Sequence, residues 1–282
     1  MQYWRLLDYS SKDPAMNLAI EEAILRCLLE YNSLNTLRFW QNPPSVVIGC
    51  FQNPYDVVNI TLCKRLGINI IRRISGGGAV YHDYGNLNYS VFVHTSSLKD
   101  LMKDQIVDVE KSYSLLCGGV VEGLKVLGVK AYNQGGNIMI NGRKVSGSAQ
   151  HRLYDVILHH GTLMVDVNLD MLKQTLRISS LERTLINLYD VLPNKIPLSE
   201  IKRVIKVGFE KIFNMELKEG ALTPEEKHIA KRLWEVKYSK ISWNMTKPAY
   251  SLHPLLRQRK EKTHLDAARR PLSKVPHRRI PC

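Results

Sequence analysis

Three consecutive glycines, Gly76, Gly77 and Gly78, follow an apolar β-type run at residues 68–71 and the pair Arg72-Arg73. Residues 72–86 read RRISGGGAVYHDYGN. Glycine has the most backbone freedom to lose on ordering, so this stretch resists both helix and strand and must turn between extended segments. It commits this part of the chain to a strand, loop, strand unit. The same residues suit contact with an anion. Without Cβ atoms the glycines can take φ > 0 and bring main-chain N–H groups close to a ligand, while the arginines supply charged donor forks. No Gly-Lys-Ser/Thr follows, so this is no Walker A loop, and the glycines are contiguous rather than spaced as G-x-G-x-x-G. On residue types alone a plain tight turn, with both arginines in solvent, reads equally well.

Residues 137–150 read NIMINGRKVSGSAQ. Two short runs flank Asn141-Gly142, the dipeptide best suited to a two-residue type I′ turn, which predicts a β-hairpin. Alternation along its second strand places Lys144, Ser146 and Ser148 on one face and Arg143, Val145 and Gly147 on the other. Lys144 would then stand among small hydroxyl side chains, with room for a ligand beside the amine; a solvated hairpin lysine is the plainer reading.

These segments, with His159-His160-Gly161-Thr162-Leu163 downstream, resemble the lipoate-protein ligase family, whose members read RRxSGGGAVYHDxGN, then a GRKVSGSAQ-type hairpin, then HHGTL. The likeness runs from Trp4-Arg5-Leu6-Leu7, through residues 16–24 (MNLAIEEAI), to Lys237-Tyr238-Ser239 and Trp243-Asn244. It implies an α+β, class II synthetase-like domain, a mixed sheet flanked by helices, as in biotin-protein ligases and octanoyltransferases. It also implies a reaction that places a lipoyl group on a lysine of an acceptor protein: a lipoyl domain of a 2-oxoacid dehydrogenase E2 subunit, or the glycine-cleavage H protein.

By that resemblance the lipoyl carboxylate attacks the α-phosphorus of ATP, and Lys144 is the cation beside both. A compact ammonium can touch a carboxylate and a phosphate oxygen together, where an arginine fork prefers one bidentate partner. Nucleotide and acyl group would be held by Arg73, Ser75, Gly76, Gly77, Gly78, Ala79, Val80 and Tyr81 on the loop side. Lys144, Ser146, Gly147, Ser148, Ala149, His160 and Gly161 would hold them on the hairpin side. Arg72 alternates away from Arg73. His82 and Asp83 could aid phosphate or metal handling but read first as turn residues, since Asp-x-Gly is ordinary turn chemistry; Val46, Val47, Leu37 and Phe39 would wall the lipoyl chain or simply be core.

The chain departs from the family pattern in two ways, and a related activity offers an alternative reading, an octanoyl or lipoyl transferase that uses no ATP. Gly136-Asn137 stands where the family often has Asn-Asp to help hold Mg²⁺, which leaves the metal ligand unassigned. Only a short tail follows the catalytic region where many ligases carry an accessory domain, so a separate small partner subunit is an expectation. Related transferases that use no ATP keep a nucleophilic cysteine just before the hairpin, because a thiolate can hold an acyl group as a thioester; residues 132–140 contain none. Cys50 is the cysteine nearest a plausible site. The GRGRxGR-type loop of biotin-protein ligases is absent.

Composition sets the remaining bounds. At 282 residues, 44% hydrophobic and 23% charged, the chain is long enough for one large or two modest cores. No apolar run of about 18 residues suits a membrane span, and the opening Met1-Gln2-Tyr3-Trp4 has no signal or import character, so a cytoplasmic location is expected. Five cysteines without C-x-x-C suggest neither a disulfide framework nor a zinc site. Of the net charge of +14, half falls in residues 249–282, where nine Lys/Arg meet Glu261 and Asp266 among prolines. We read residues 1–248 as the catalytic domain and 249–282 as a basic, docking or solubilising tail; it lacks the interleaved aromatics of a nucleic-acid binder.

Helices are expected at 14–28 (with Cys27 in its apolar stripe), 57–66, 105–127, 170–176, 199–213 and 224–236, by capping signals and helical spacing. Strands are expected at 36–40, 45–49, 68–73, 79–82, 87–94, in the hairpin and at 156–167. Gly118-Gly119 inside a helix hints at close packing or a kink.

Overall fold

The computed structural model describes residues 3–103, 107–177 and 184–246; the basic tail at 249–282 lies outside them. In chain order the strands and helices are β1 (Tyr3–Asp8), α1 (Pro14–Tyr31), β2 (Thr36–Trp40), β3 (Ser45–Ile48), α2 (Pro54–Val57), α3 (Ile60–Leu66), β4 (Asn69–Arg72), β5 (Val80–His82), β6 (Asn86–His94), α4 (Thr95–Met102), α5 (Val109–Val126), β7 (Ala131–Gln134), β8 (Asn137–Ile140), β9 (Arg143–Leu153), β10 (Val156–Met164), α6 (Leu169–Thr175), α7 (Leu198–Phe213), β11 (Glu216–Glu219), α8 (Pro224–Leu233) and α9 (Ile241–Met245).

Eight strands form one mixed sheet in the order β11-β1-β2-β6-β10-β9-β8-β7, and β4-β3-β5 form a second. In the large sheet β1 runs parallel to β11 and β2, while the pairs from β2–β6 to β7–β8 are antiparallel. Alternation along β6 supplies both cores. Leu87, Tyr89, Val91 and Val93 enter a cluster with α5 and α7, whereas Phe92 faces α1 and α8.

The glycines of α5 are a packing device. A Cβ on Gly119 would overlap the Phe209 ring, and one on Gly123 would overlap the main chain at Val204 and Ile205, so α5 and α7 approach closely without a kink. At the start of α1, Asp13 Oδ1 accepts from Ala15 N–H and Pro14 stands in the first turn, which fixes the entry of the helix that closes the other face.

Local chemistry moved several boundaries. The helix expected at 57–66 is two, because Asn53 and Asn59 each cap a separate start and Val58 is extended between them. The segment expected as one helix at 105–127 begins at Val109, and α4 precedes it unforeseen. Strand β10 stops at Met164 rather than 167, and α8 passes into a π-helical turn at Trp234–Tyr238. The short strands β7 and β11 and the helix α9 lacked a strong pattern.

Candidate active site

The two motifs arrive on different sheets. The glycine loop joins β4 to β5 in the small sheet, and the hairpin is β8–β9 of the large one. They meet across one cleft: Ala79, Val80 and Tyr81 line it opposite Lys144, Gly147 and Thr162, with Asn86 and Met164 beside them and Leu172, Leu176 and Leu185 as an apolar floor. Gly76, Gly77 and Gly78 lie one step further along. Gly77 has φ +89°, and a Cβ on it would stand 3.8 Å from Ala149 Cβ on β9.

Simple alternation along β9 is corrected by a bulge. Ser146 pairs with Ile138 but Lys144 pairs with Met139, so Val145 is an extra residue and the facing of the strand reverses there. Lys144 therefore shares its face with Gly147 and Ala149, and, through the β9–β10 pairs Ala149–His160 and Gly147–Thr162, with His160 and Thr162. Ser146, Ser148 and Gly161 face the other way. Ser146 is fully buried, Ser148 Oγ donates to the Gly136 carbonyl at 2.6 Å, and Gly161 has no side chain because the Tyr89 ring fills that space. Asn137, on the Lys144 face, brings its Oδ1 to 3.6 Å from the Cβ position of Gly147.

Arg72 and Arg73 part as expected. Arg72 is buried and donates to the carbonyls of Gly49, Cys50, Gln52, Trp243 and Asn244, tying the loop after β3 to α9. Arg73 turns into the site: Nε donates to Ser75 Oγ at 2.9 Å, and Nη2 donates to the carbonyls of Gly76 and Gly78 at 2.6 and 2.8 Å. Burial pulls its guanidinium down to about 10 against the pull of Glu21, so it stays charged at neutral pH.

Sequence reading missed Glu21. It projects from α1 between Ser90 and His160: Ser90 Oγ donates to Oε1 at 2.5 Å, and His160 Nδ1 lies 2.9 Å from Oε2. His160 Nε2 lies 2.6 Å from Ser75 Oγ, which completes a chain from the helix to the glycine loop. Burial pushes the Glu21 carboxyl up, yet His160, Arg38 and the Ser90 hydroxyl hold it below its ordinary value. The available signal was two adjacent acids, Glu21-Glu22, within a helix whose other residues are mostly core.

His82 is not a turn residue. Asp83 makes the turn, accepting from Gly85 N–H at 2.9 Å, while His82 is buried, its Nδ1 3.1 Å from Asn42 Nδ2. Asn42 Oδ1 accepts from Asn17, so Asn42 Nδ2 donates to His82 Nδ1 and the His82 proton sits on Nε2, buried without a hydrogen-bond partner among the described residues. Burial, with Arg73 adding to it, pulls this imidazole down to about 3. The four apolar residues are core: Leu37 and Phe39 belong to the α5/α7 cluster, Val47 to the α1 cluster and Val46 to a third cluster under β3.

Among the described residues no cysteine lines the cleft. Cys50 is half-buried and its thiol is pushed up by burial despite Lys237, Arg72 and Arg73; Cys117 is fully buried and pushed up to about 11. Among the described residues no group of three His, Cys, Asp or Glu side chains could hold a metal. The described residues therefore offer no cage of carboxylates for Mg²⁺. No helix among the described residues is long and apolar enough to cross a membrane.

Residues 13–210 match the family model of the lipoyl protein ligase A/B catalytic domain. The chain belongs to that family. It is 31% identical to an octanoyltransferase LipM of Halalkalibacterium halodurans, over 88% of this chain and all of that protein. The fold superposes with a TM-score of 0.81 and 28% identity on a bipartite lipoate protein ligase of Thermoplasma acidophilum, solved in a study that includes its E2 lipoyl domain, covering 90% of this chain and all of that one. It matches a lipoate-protein ligase A bound with ATP at a TM-score of 0.79 and 30% identity, over 88% of this chain and all of the other. The expected mixed α+β fold and the family are therefore established, and with them an enzyme of the lipoate ligase and octanoyltransferase group.

Proposed function

We propose that this chain is a lipoate-protein ligase: it activates lipoate with ATP to lipoyl-AMP and passes the lipoyl group to a lysine of an acceptor lipoyl domain or glycine-cleavage H protein. The observation that carries the reading is the cleft shared by Lys144 and residues 79–81 at the end of the glycine loop, with no cysteine in its lining among the described residues. A carboxylate is a poor electrophile, and without a thiol to hold the acyl group as a thioester, a mixed anhydride with AMP provides the electrophile and the leaving group.

The residues suit ATP. The apolar floor of Leu172, Leu176 and Leu185 offers a slot for a flat base, and Asn86, which lines it, has Oδ1 buried without a hydrogen-bond partner among the described residues, an acceptor fit for an exocyclic amine. Lys144 and Arg73 stand on the two sides where phosphate and carboxylate charge must be met. In the first half-reaction the lipoyl carboxylate attacks the α-phosphorus and pyrophosphate leaves. Lys144 neutralises the charge shared by the carboxylate and the α-phosphate. In the second, the acceptor amine attacks the acyl carbonyl and AMP leaves; the same ammonium stabilises the oxyanion. A preorganised donor of this kind supplies about 3 kcal/mol.

A second reading has its own support, the match to an octanoyltransferase over that protein's whole length. It makes the chain an ATP-independent octanoyl or lipoyl transferase. The likeness to a bipartite ligase favours a further variant, in which a small separate subunit is needed for adenylation. We place the protein in the cytoplasm, treat residues 1–248 as the catalytic domain, and assign the basic tail to acceptor or partner contact. The deciding experiment incubates the protein with lipoate, MgATP and an acceptor lipoyl domain. Added lipoyl mass on the acceptor lysine with matching pyrophosphate release supports the ligase; transfer from octanoyl carrier protein alone, with no ATP consumed, supports the transferase.

A further inference from the structure

Ser75, His160 and Glu21 stand in the order and at the spacing of a nucleophile, its base and the group that orients the base. Ser75 Oγ is 2.6 Å from His160 Nε2, and His160 Nδ1 is 2.9 Å and 3.1 Å from the two oxygens of Glu21. An ionised carboxylate only accepts, so Nδ1 donates to Glu21 and Nε2 is the ring nitrogen turned to the Ser75 hydroxyl. Arg73 Nε donates to the same hydroxyl oxygen at 2.9 Å, a fixed charge beside any oxyanion that forms there. Glu21 is held in turn by Ser90, whose oxygen accepts from Trp40 Nε1 at 2.8 Å.

We propose that Ser75 is an acyl acceptor, and that this protein takes a medium-chain acyl group from a thioester onto Ser75 as an oxygen ester before passing it to an amine. Ser75 Oγ attacks the thioester carbonyl as its proton moves to His160 Nε2. The C–S bond breaks, and the thiolate leaves with that proton as a free thiol. In the return step a lysine amine attacks the ester carbonyl, His160 takes the amine proton and delivers it to Ser75 Oγ, and an amide is released. Electrons and protons balance without ATP, metal or oxidant.

The arrangement also reconciles two findings, the whole-length similarity to an octanoyltransferase and the absence of a cysteine from the cleft lining. Ser75 is 1% exposed, so a donor reaches it only when its surroundings open. The same cover keeps water from the ester once formed. Ser75, His160 and Glu21 are buried beside the residues that line the cleft rather than among them, and the proposal needs no adenylation.

The test incubates the full chain with octanoyl-N-acetylcysteamine in the absence of ATP, quenches in acid and reads intact and peptide masses. The expected result is one octanoyl group on the peptide bearing Ser75, stable to neutral hydroxylamine as an oxygen ester is, and retained in Cys50→Ser. Ser75→Ala should lose it. Glu21→Gln should slow its formation by about 10²-fold or more. Ser75→Cys should keep an adduct at the same position that neutral hydroxylamine now removes, which separates lost chemistry from a lost fold. No adduct on the wild-type protein, or one that maps to Cys50 or persists in Ser75→Ala, overturns the proposal. Because ATP is omitted, failure here leaves lipoate activation to its own assay, and failure of that assay leaves this one standing.

Discussion

Lys144 Nζ lies 2.9 Å from the point where a Cβ on Gly147 would stand, so the bare residue three positions along the bulged strand makes room for the amine above it. The glycine is a steric requirement of the site. Gly147→Ala should push the ammonium out of place and lower the rate of acyl transfer by about 10²-fold, the usual penalty for a misplacement near 1 Å. Unfolding in urea should change little, since the residue is half-buried and its backbone angles are ordinary. A fully active Gly147→Ala enzyme would show that the amine is free to stand elsewhere.

Gly49 makes the matching prediction on the loop side. A Cβ there would overlap the Gly77 carbonyl, main chain against main chain, which no side-chain rotation can relieve. Gly49→Ala should therefore displace the glycine loop, weaken nucleotide binding measured by calorimetry, and shift the thermal midpoint downward.

Arg72 tests the architecture. Its guanidinium serves five carbonyls, and Trp243 Nε1 returns a bond to the Arg72 carbonyl at 2.9 Å. Arg72→Met leaves several buried acceptors unserved and should cost about 3 kcal/mol or more in chemical denaturation. Arg72→Lys should recover only part, because one ammonium cannot reach so many planar acceptors.

Two buried imidazoles set an acid limit. Burial, with Arg73 beside one and His160 beside the other, pulls His82 and His159 from an ordinary 6.5 to about 3. Below pH 6.5 the unfolded chain takes up protons on these side chains that the folded chain refuses. Their contribution is thus fully present above pH 6.5 and is lost as pH falls toward 3. Stability should drop by about 1.4 kcal/mol per pH unit for each group well inside that window. His159→Gln should flatten the slope of unfolding free energy against pH between 6 and 4; an unchanged slope would remove His159 from this account.

The legible parts of the chain were those with strong local chemistry. Asn141 and Gly142 both take positive φ at the hairpin tip, as their residue types demand, and the Asp13-Pro14 start placed α1 within a residue. The parting of Arg72 from Arg73 followed from alternation on one short strand. The same rule failed on β9 because a single bulged residue, Val145, reverses facing and carries no sequence signature of its own. Glu21 was hidden for another reason: its partners, His160 and Ser90, are 139 and 69 residues away, and only the closure of α1 over the sheet brings them together. The strand β11 is exposed at three of its four positions, so its period carried little signal.

The most direct test of the central claim, that one cleft brings the Lys144 amine to an acyl-phosphate, is pyrophosphate release from ATP with lipoate present and acceptor absent. The wild-type chain, with a small partner subunit added if activation requires one, should release pyrophosphate in proportion to enzyme and only when lipoate is supplied. Lys144→Ala, folded by circular dichroism, should release none. An alanine variant as active as the wild type would contradict the account, as would lipoylation of the acceptor with no pyrophosphate formed.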